Sequence, residues 1–190
     1  MSLFSVCVYC GSRGGRDPAF LHAATELGAA LARAQMRLVY GAGDLGLMGA
    51  VARAAHGAGG DTFGVVPTHL LEREAANRDL NTFIITETMH ERKKVMVMNA
   101  DAIVVLPGGA GTLDEFCEVL TWRQLDLHTK PIFILDVKEY WQPLIALIDH
   151  VIGQGFAEND LREFFENVAD IPTLMMALEG ARNTHAAPVK

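Results

Sequence analysis

The chain has 190 residues, half of them hydrophobic, and its 16 basic and 23 acidic side chains give a formal net charge of −7. This size and composition predict one globular domain whose core needs no disulfide or metal. The charge disfavours binding to nucleic acid or an anionic membrane, and no apolar run approaches the roughly 20 residues of a membrane span.

Short apolar runs alternate with helical patterns along the whole chain. The runs predict strands at residues 6–10, 37–40, 62–66, 82–86, 102–106 and 131–135. The patterns between them predict helices at residues 18–34, 48–58, 89–99, 112–125 and 140–152. Most runs are continuously apolar, which is typical of strands covered on both faces. We therefore expect an α/β fold: a Rossmann-like, doubly wound parallel sheet in three layers, α/β/α.

The predicted domain covers residues 1–180. Near its end, residues 167–171 favour a short strand and residues 173–178 a last helical turn or two. Residues 181–190 are predicted to form a disordered tail. The segment 67–81 is a long, charged connection, which fits either a functional or mobile loop or a surface helix.

The cysteines favour a structural role. Cys7 and Cys10 form a CxxC within the first predicted strand, where a spacing of three puts them on opposite faces. Buried strand residues are therefore favoured over a redox or metal pair. Cys117 is predicted to lie in the core. Three cysteines fit a reducing compartment, and no basic stretch precedes an apolar run at the N-terminus, so we expect a cytoplasmic protein.

Three of the loops that follow predicted strands are rich in glycine, at residues 10–15, 41–49 and 107–112. In a doubly wound sheet, ligands bind at the carboxyl ends of the strands. Glycine lets backbone N–H groups approach a ligand, and the N-terminus of a following helix adds partial positive charge. These loops predict an anion site suited to phosphate.

One of these loops contains a GxGxxG pattern, formed by Gly41, Gly43 and Gly46. Alone, this pattern is typical of dinucleotide-binding proteins. Here it follows the second predicted strand, and Asp61 begins the next strand where a ribose-binding acid should end it. NAD binding is therefore disfavoured. The sequence also has no P-loop motif.

Three cations, Arg92, Lys93 and Lys94, follow a predicted capping box at residues 88–91. A solvated face is the simplest explanation for them. Cations in the first turns nevertheless oppose the helix dipole, at about 0.3–1 kcal/mol each when exposed. This cost favours an anion nearby, with Arg as the better ligand because its planar fork grips phosphate or carboxylate at two points.

The segment from Thr112 to Glu115 repeats the capping pattern. On spacing alone, Glu115 is predicted to be a cap residue. The alternative follows from the glycines before it, which would leave Glu115 facing the cleft as a general base or charge stabiliser. The predicted buried stripe of this helix consists of Leu113, Phe116, Cys117 and Leu120.

Several segments together resemble one family. PGGAGTLDE at residues 107–115 resembles the PGGxGTxxE signature of the LONELY GUY (LOG) family of cytokinin riboside 5′-monophosphate phosphoribohydrolases, often misnamed lysine decarboxylases. MHERK at 89–93, GLMG at 46–49 and CGS at 10–12 resemble further segments of that family, in the same order. The chain departs from the family pattern at Ala42, Ala110 and Asp114.

The resemblance implies hydrolysis of the N-glycosidic bond of a nucleoside 5′-monophosphate, with Arg92 and Glu115 as the catalytic pair. Positions matching substrate- or phosphate-binding residues of the family are Gly108, Gly109, Gly111, Thr112, Lys93, Thr121, Glu74, Ser12 and Gly43. It also implies a homodimer, with an interface at residues 140–145 or on the apolar side of 89–99. No cofactor or metal is expected, since the seven histidines show no ligand spacing.

Other functions remain open from the sequence. A broader nucleotide 5′-monophosphate nucleosidase would share the signature. A nucleotide or molybdenum-cofactor carrier would use the same phosphate site without hydrolysis. A lysine decarboxylase is disfavoured, because it needs pyridoxal phosphate and a Schiff-base lysine, and only the pair Lys93 and Lys94 follows a strand end.

Overall fold

A computed structural model describes residues 3–71 and 80–186. The strands are β1 (Ser5–Tyr9), β2 (Arg37–Tyr40), β3 (Thr62–Pro67), β4 (Thr82–Thr86), β5 (Ala102–Val105), β6 (Ile132–Leu135) and β7 (Glu166–Val168). The α-helices are α1 (Pro18–Arg33), α2 (Gly46–Gly57), α3 (Met89–Met98), α4 (Ala110–Gln124), α5 (Gln142–Gly153) and α6 (Ile171–Ala186). Short 3₁₀ segments lie at Thr68–Leu70, Val137–Glu139 and Asn159–Phe164.

The strands form one seven-stranded sheet in the order β4-β3-β2-β1-β5-β6-β7. Every neighbouring pair is parallel. The chain winds outward from β1 to β4 and then returns to β5 on the other side of β1. The predicted Rossmann-like fold is confirmed, and its topological switch point lies between β1 and β5, where such sheets bind ligands.

Two hydrophobic cores cover the two faces of the sheet. The first contains buried residues of α1, α2 and α6, and the second contains buried residues of α3, α4 and α5. Cys10 belongs to the first core and Cys7 to the second, as the alternation of side chains along β1 predicts. Burial raises the pKa of both thiols, so both stay protonated and act as small apolar groups.

The end of the chain differs from the prediction. Helix α6 continues to Ala186, so the tail expected from residue 181 is wrong for residues 181–186. The physical reason is a tertiary contact: the Arg182 guanidinium donates to the Ala34 carbonyl at the end of α1 and pairs with Glu179. Residues 187–190 lie outside the described part of the chain. No helix among the described residues is long and apolar enough to cross a membrane.

Helix α4 also differs, in where it begins and which face it buries. It begins at Ala110 with Gly109 as its N-cap, two residues before the predicted start. Its buried residues are Thr112, Phe116, Val119 and Leu120. Leu113 and Cys117 are exposed, so their assignment to the core is wrong. Phe116 and Leu120 belong to both the predicted and the observed face, and packing in the second core selects the face that also contains Val119.

Candidate active site

A cavity of about 520 Å³ opens at the switch point. Its walls come from the loops after β1 and β5, the N-terminal parts of α1, α2, α3 and α4, and residues that follow β3 and β6. The two central loops meet directly, since the Gly11 N–H donates to the Pro107 carbonyl across 3.0 Å. The cavity therefore lies where the glycine-rich loops predict a ligand.

The N-terminus of α4 forms one wall of this cavity. Its N-cap, Gly109, provides no side-chain hydrogen bond. In the described part of the chain, the N–H groups of Gly109, Ala110, Gly111 and Thr112 donate to no protein acceptor. Free N–H groups at the positive end of a helix dipole form an anion site. The four predicted phosphate residues, Gly108, Gly109, Gly111 and Thr112, all line the cavity.

Gly108 is required by close packing between the loops. A Cβ atom there would lie 2.1 Å from Thr112 Oγ1 and 2.9 Å from the Gly11 nitrogen. Gly109 and Gly111 are different, since a Cβ at either position would meet nothing within 4 Å. They leave open space at the N-terminus of α4.

Arg92 is buried beside the cavity, on α3. Only 4% of it is exposed, and its guanidinium donates to the carbonyls of Val65 (3.1 Å) and Gly41 (2.8 Å). A Cβ at position 41 would lie 1.9 Å from Arg92 Nη2. The first glycine of the GxGxxG pattern therefore makes room for an arginine. The pattern that resembled a dinucleotide site serves to hold a cation.

Glu115 lines the same cavity from α4. Its side chain is not a helix cap, because α4 begins at Ala110 and not at Thr112. The charges of Glu115 and Arg92 both affect the Cys10 thiol. Burial raises the pKa of Cys10 the most, the Glu115 charge raises it further, and the Arg92 charge lowers it. The structure thus brings Arg92 and Glu115 to the same end of β1.

Lys93 does not line the cavity. It is 3% exposed, and its Nζ lies 2.9 Å from the Asp114 carboxylate and 3.1 Å from that of Glu118. Burial lowers the pKa of Lys93, but the hydrogen bonds from its ammonium to these two carboxylates outweigh burial and raise it. The expected phosphate contact is therefore corrected: Lys93 ties α3 to α4 on both sides of Glu115.

Of the remaining residues predicted to bind substrate or phosphate, some line the cavity and others do not. Ser12 lines the cavity, whereas Gly43 is buried in the loop after β2 and does not reach it. Thr121 is exposed outside the cavity, and its hydroxyl donates to the Cys117 carbonyl. Glu74 lies outside the described residues.

Sequence reasoning missed Tyr140, which lines the cavity and donates a hydrogen bond to Gly108. It follows β6, so the rule that strand-end loops form the site would have found it.

No group of three or more His, Cys, Asp or Glu side chains that could hold a metal ion occurs within residues 3–71 and 80–186. The charged side chains that line the cavity are instead two arginines, Arg13 and Arg92, and one carboxylate, Glu115. An open parallel sheet with a cavity and an uncapped helix N-terminus at its switch point defines a protein of the Rossmann-like class.

Comparison with known proteins narrows this class to one family. A family model described as "Possible lysine decarboxylase" matches residues 48–178. A "Probable cytokinin riboside 5′-monophosphate phosphoribohydrolase LOGL9" of Oryza sativa subsp. japonica is 42% identical over 174 residues, covering 92% of this chain and 77% of the relative. The Arabidopsis thaliana "Cytokinin riboside 5′-monophosphate phosphoribohydrolase LOG5" is 39% identical, covering 92% and 76%. The chain belongs to the LOG family, as its motifs predict.

Solved structures agree on the fold. The molybdenum cofactor carrier protein of Chlamydomonas reinhardtii matches with a TM-score of 0.74 at 19% identity, over 96% of this chain and 99% of the other. The molybdenum cofactor binding protein of Rippkaea orientalis matches with a TM-score of 0.71 at 19% identity, over 95% and 98%. At this identity the likeness shows a shared fold and nothing more.

The lysine decarboxylase description has no counterpart in the cavity. Decarboxylation of that kind needs a lysine placed to form a Schiff base. None of the lysines within residues 3–71 and 80–186 lines the cavity. Lys93 is held in ion pairs, and the Lys130 ammonium donates to the Ala100 carbonyl.

Proposed function

We propose that this protein hydrolyses the N-glycosidic bond of adenosine 5′-monophosphates, including N6-substituted ones, to free base and ribose 5-phosphate. One observation carries the proposal: a single cavity holds the side chains of Arg92 and Glu115 beside the uncapped N-terminus of α4. The names of the relatives support the same activity. The site thus pairs an anchor for phosphate with a carboxylate for the reacting ribose.

The phosphate end works through the backbone. The N–H groups from Gly109 to Thr112 and the Thr112 hydroxyl hold the 5′-phosphate at the end of α4. The phosphate does not react, so its binding energy orients the ribose toward the catalytic groups. The acidic net charge of −7 does not prevent this, because the site depends on local dipoles.

The reaction takes place at C1′ of the ribose. The bond from C1′ to the base nitrogen breaks, its electron pair leaves with the base, and positive charge builds on the ribose ring. The Glu115 carboxylate stabilises this charge and positions the attacking water, whose oxygen bonds to C1′. A water proton passes through Glu115 and the base takes up a proton on leaving. Arg92 holds a fixed positive charge beside the nucleotide oxygens.

A base-release assay tests the activity. The protein is incubated with AMP, isopentenyl-AMP, GMP and CMP, and free base is measured by chromatography. We expect release from the adenine nucleotides. Equal release from CMP would replace the proposal with a broader nucleosidase, and no release from any nucleotide would leave a binding or carrier protein.

We also infer that the protein is a homodimer that works in the cytoplasm. Both candidate interfaces from the sequence contain buried residues, among them Met96, Val97, Trp141 and Ile145. Helix α4 instead exposes a stripe at intervals of four residues, which we call the α4 stripe: Leu113, Cys117, Thr121 and Leu125. A second copy covering this stripe would place Thr121 in the interface. The three free cysteines fit a reducing compartment.

Light scattering coupled to gel filtration tests the dimer. Leu125 is 61% exposed on the stripe, and Leu147 is 57% exposed on α5. We expect Leu125→Glu to give a monomer and the matched control Leu147→Glu to leave the dimer intact. A parent protein that elutes as a monomer at micromolar concentration would refute the inference.

A further inference from the structure

The hydroxyl of Tyr140 holds one carbonyl of the phosphate-binding loop. It donates to the Gly108 carbonyl oxygen across 2.6 Å. We propose that Tyr140 is a positioning residue that sets the direction of the Gly109 N–H and so prepares the loop for phosphate. The identity of the ligand as a phosphate ester rests on the proposed function, whereas the effect on the loop does not.

The geometry of the peptide bond connects Tyr140 to the site. The peptide between Gly108 and Gly109 is trans, since the described chain has no cis bond. In a planar trans peptide, the C=O and N–H groups point in opposite directions. Holding the Gly108 oxygen therefore fixes the Gly109 N–H. Glycine on both sides lets this peptide rotate with little steric resistance, so its direction needs an outside bond.

The neighbouring peptides do not need a side chain. The Pro107 carbonyl accepts from the Gly11 N–H, and the Gly109 carbonyl accepts from the Leu113 N–H, both at 3.0 Å. The first bond joins the two central loops, and the second is the first turn of α4. Tyr140 holds the carbonyl between them. It completes a row of three occupied carbonyls next to N–H groups that donate to no acceptor among the described residues.

The turn that carries Tyr140 is strained. Lys138 and Glu139 both have left-handed backbone conformations, with φ of 56° and 59°. Such angles are uncommon outside glycine, and they persist only where the surroundings determine them. Two in succession immediately before Tyr140 are consistent with a turn kept in order to present that side chain.

Buried contacts hold the turn and the ring in place. The Asp136 carboxylate accepts from the Trp141 N–H across 2.7 Å and from the Gln142 side chain. Trp141 is 3% exposed, which anchors the residue after Tyr140 in the core. On the cavity side, the Phe20 ring packs edge-on against the Tyr140 ring at 5.4 Å between centroids. The hydroxyl is therefore presented from a fixed position.

The test is Tyr140→Phe, which keeps the ring and removes the hydroxyl. Two quantities are measured: ¹⁵N relaxation dispersion at the Gly108 and Gly109 amides of the ligand-free protein, and calorimetric affinity for ribose 5-phosphate and inorganic phosphate. We expect new millisecond exchange at both amides, because the peptide samples two directions. We expect the affinity for both ligands to fall about five- to tenfold, the value of one net hydrogen bond.

The matched control is Tyr40→Phe. The Tyr40 hydroxyl is buried without a hydrogen-bond partner in the described structure, so its loss should change neither quantity. Weaker phosphate binding without new exchange would overturn the proposal in favour of a direct ligand contact. Exchange throughout the protein with a lowered melting temperature would overturn it in favour of a general structural role. Neither measurement needs turnover, so Tyr140 is tested even if no nucleotide is hydrolysed.

Discussion

The N-termini of α3 and α4 carry the same sequence pattern, a threonine followed three residues later by glutamate, and use it in opposite ways. In α3, Thr88 accepts from the Glu91 N–H, and the Glu91 carboxylate accepts from the Thr88 N–H. The capping box predicted there is confirmed. In α4, the helix begins at Ala110 and no side chain caps it.

The difference shows how a helix end becomes a binding site. A capping box satisfies the free N–H groups of its own helix and leaves little for a ligand. The glycines before Thr112 let α4 begin a half-turn earlier, which leaves its first N–H groups open and its glutamate in the cavity. The closed end of α3 supports Arg92, and the open end of α4 receives phosphate in the proposed function.

The largest effect is expected at Glu115. Glu115→Gln should lower turnover of AMP by about 10²–10⁴-fold while leaving nucleotide affinity within a few-fold, because the carboxylate acts on the reacting bond. Glu91→Gln is the matched control, since glutamine also completes a capping box. Steady-state kinetics and calorimetry measure both. Normal turnover by Glu115→Gln would remove Glu115 from the catalytic pair.

The second-largest effect is expected when a side chain caps the open N-terminus of α4. Gly109 has φ of −98° and free space around its Cβ position, so Gly109→Asp fits without strain. Its carboxylate should cap the helix, add a few tenths of a kcal/mol to stability and repel phosphate. We expect affinity for ribose 5-phosphate to fall about a hundredfold, by roughly 2.7 kcal/mol.

Gly109→Ala is the control for Gly109→Asp, because it adds bulk without charge and should bind ribose 5-phosphate nearly as the parent does. Unchanged binding by Gly109→Asp would show that phosphate does not use this helix end.

A smaller effect, on stability, is expected when the ion pairs that join α3 to α4 are removed. Lys93→Met should lower the free energy of unfolding by about 2 kcal/mol, below the value for a fully buried pair because Asp114 is exposed. Since the pKa of Lys93 is raised in the folded protein, this stabilisation is complete below the ordinary lysine pKa of about 10.4 and is lost as pH rises above it. Urea unfolding at pH 7 and above pH 10.5 tests this, and a difference that persists undiminished at high pH would refute it.

The smallest effect is expected at the closed end. Thr88→Ala removes the cap of α3 and should cost about 1 kcal/mol of stability in urea unfolding. Base release at 25 °C should stay within about twofold, because Arg92 keeps its bonds to Val65 and Gly41. A loss of activity larger than the loss of stability would show that the α3 end also takes part in binding.

Much of this molecule follows from local sequence. The bounds of β1 to β6 differ from prediction by at most one residue, because continuous apolar runs mark buried parallel strands clearly, whereas β7 ends three residues before the predicted end. The opposite placement of Cys7 and Cys10 follows from strand geometry alone. The cavity-lining residues Arg92 and Glu115 and the glycines before Thr112 were all identifiable, because they follow strands and carry specific motifs.

Only the tertiary structure decided which role each of several similar sequence patterns has. The pattern of Thr112 and Glu115 looked like a cap, and only the meeting of the β1 and β5 loops shows that the helix begins earlier and opens into a cavity. Lys93 and Arg92 are neighbours that were both predicted to line the site, yet α4 pairs with Lys93, whereas β3 and the loop after β2 hold Arg92. Sequence determines local conformation, whereas the partners of a buried charge depend on which distant elements the fold brings beside it.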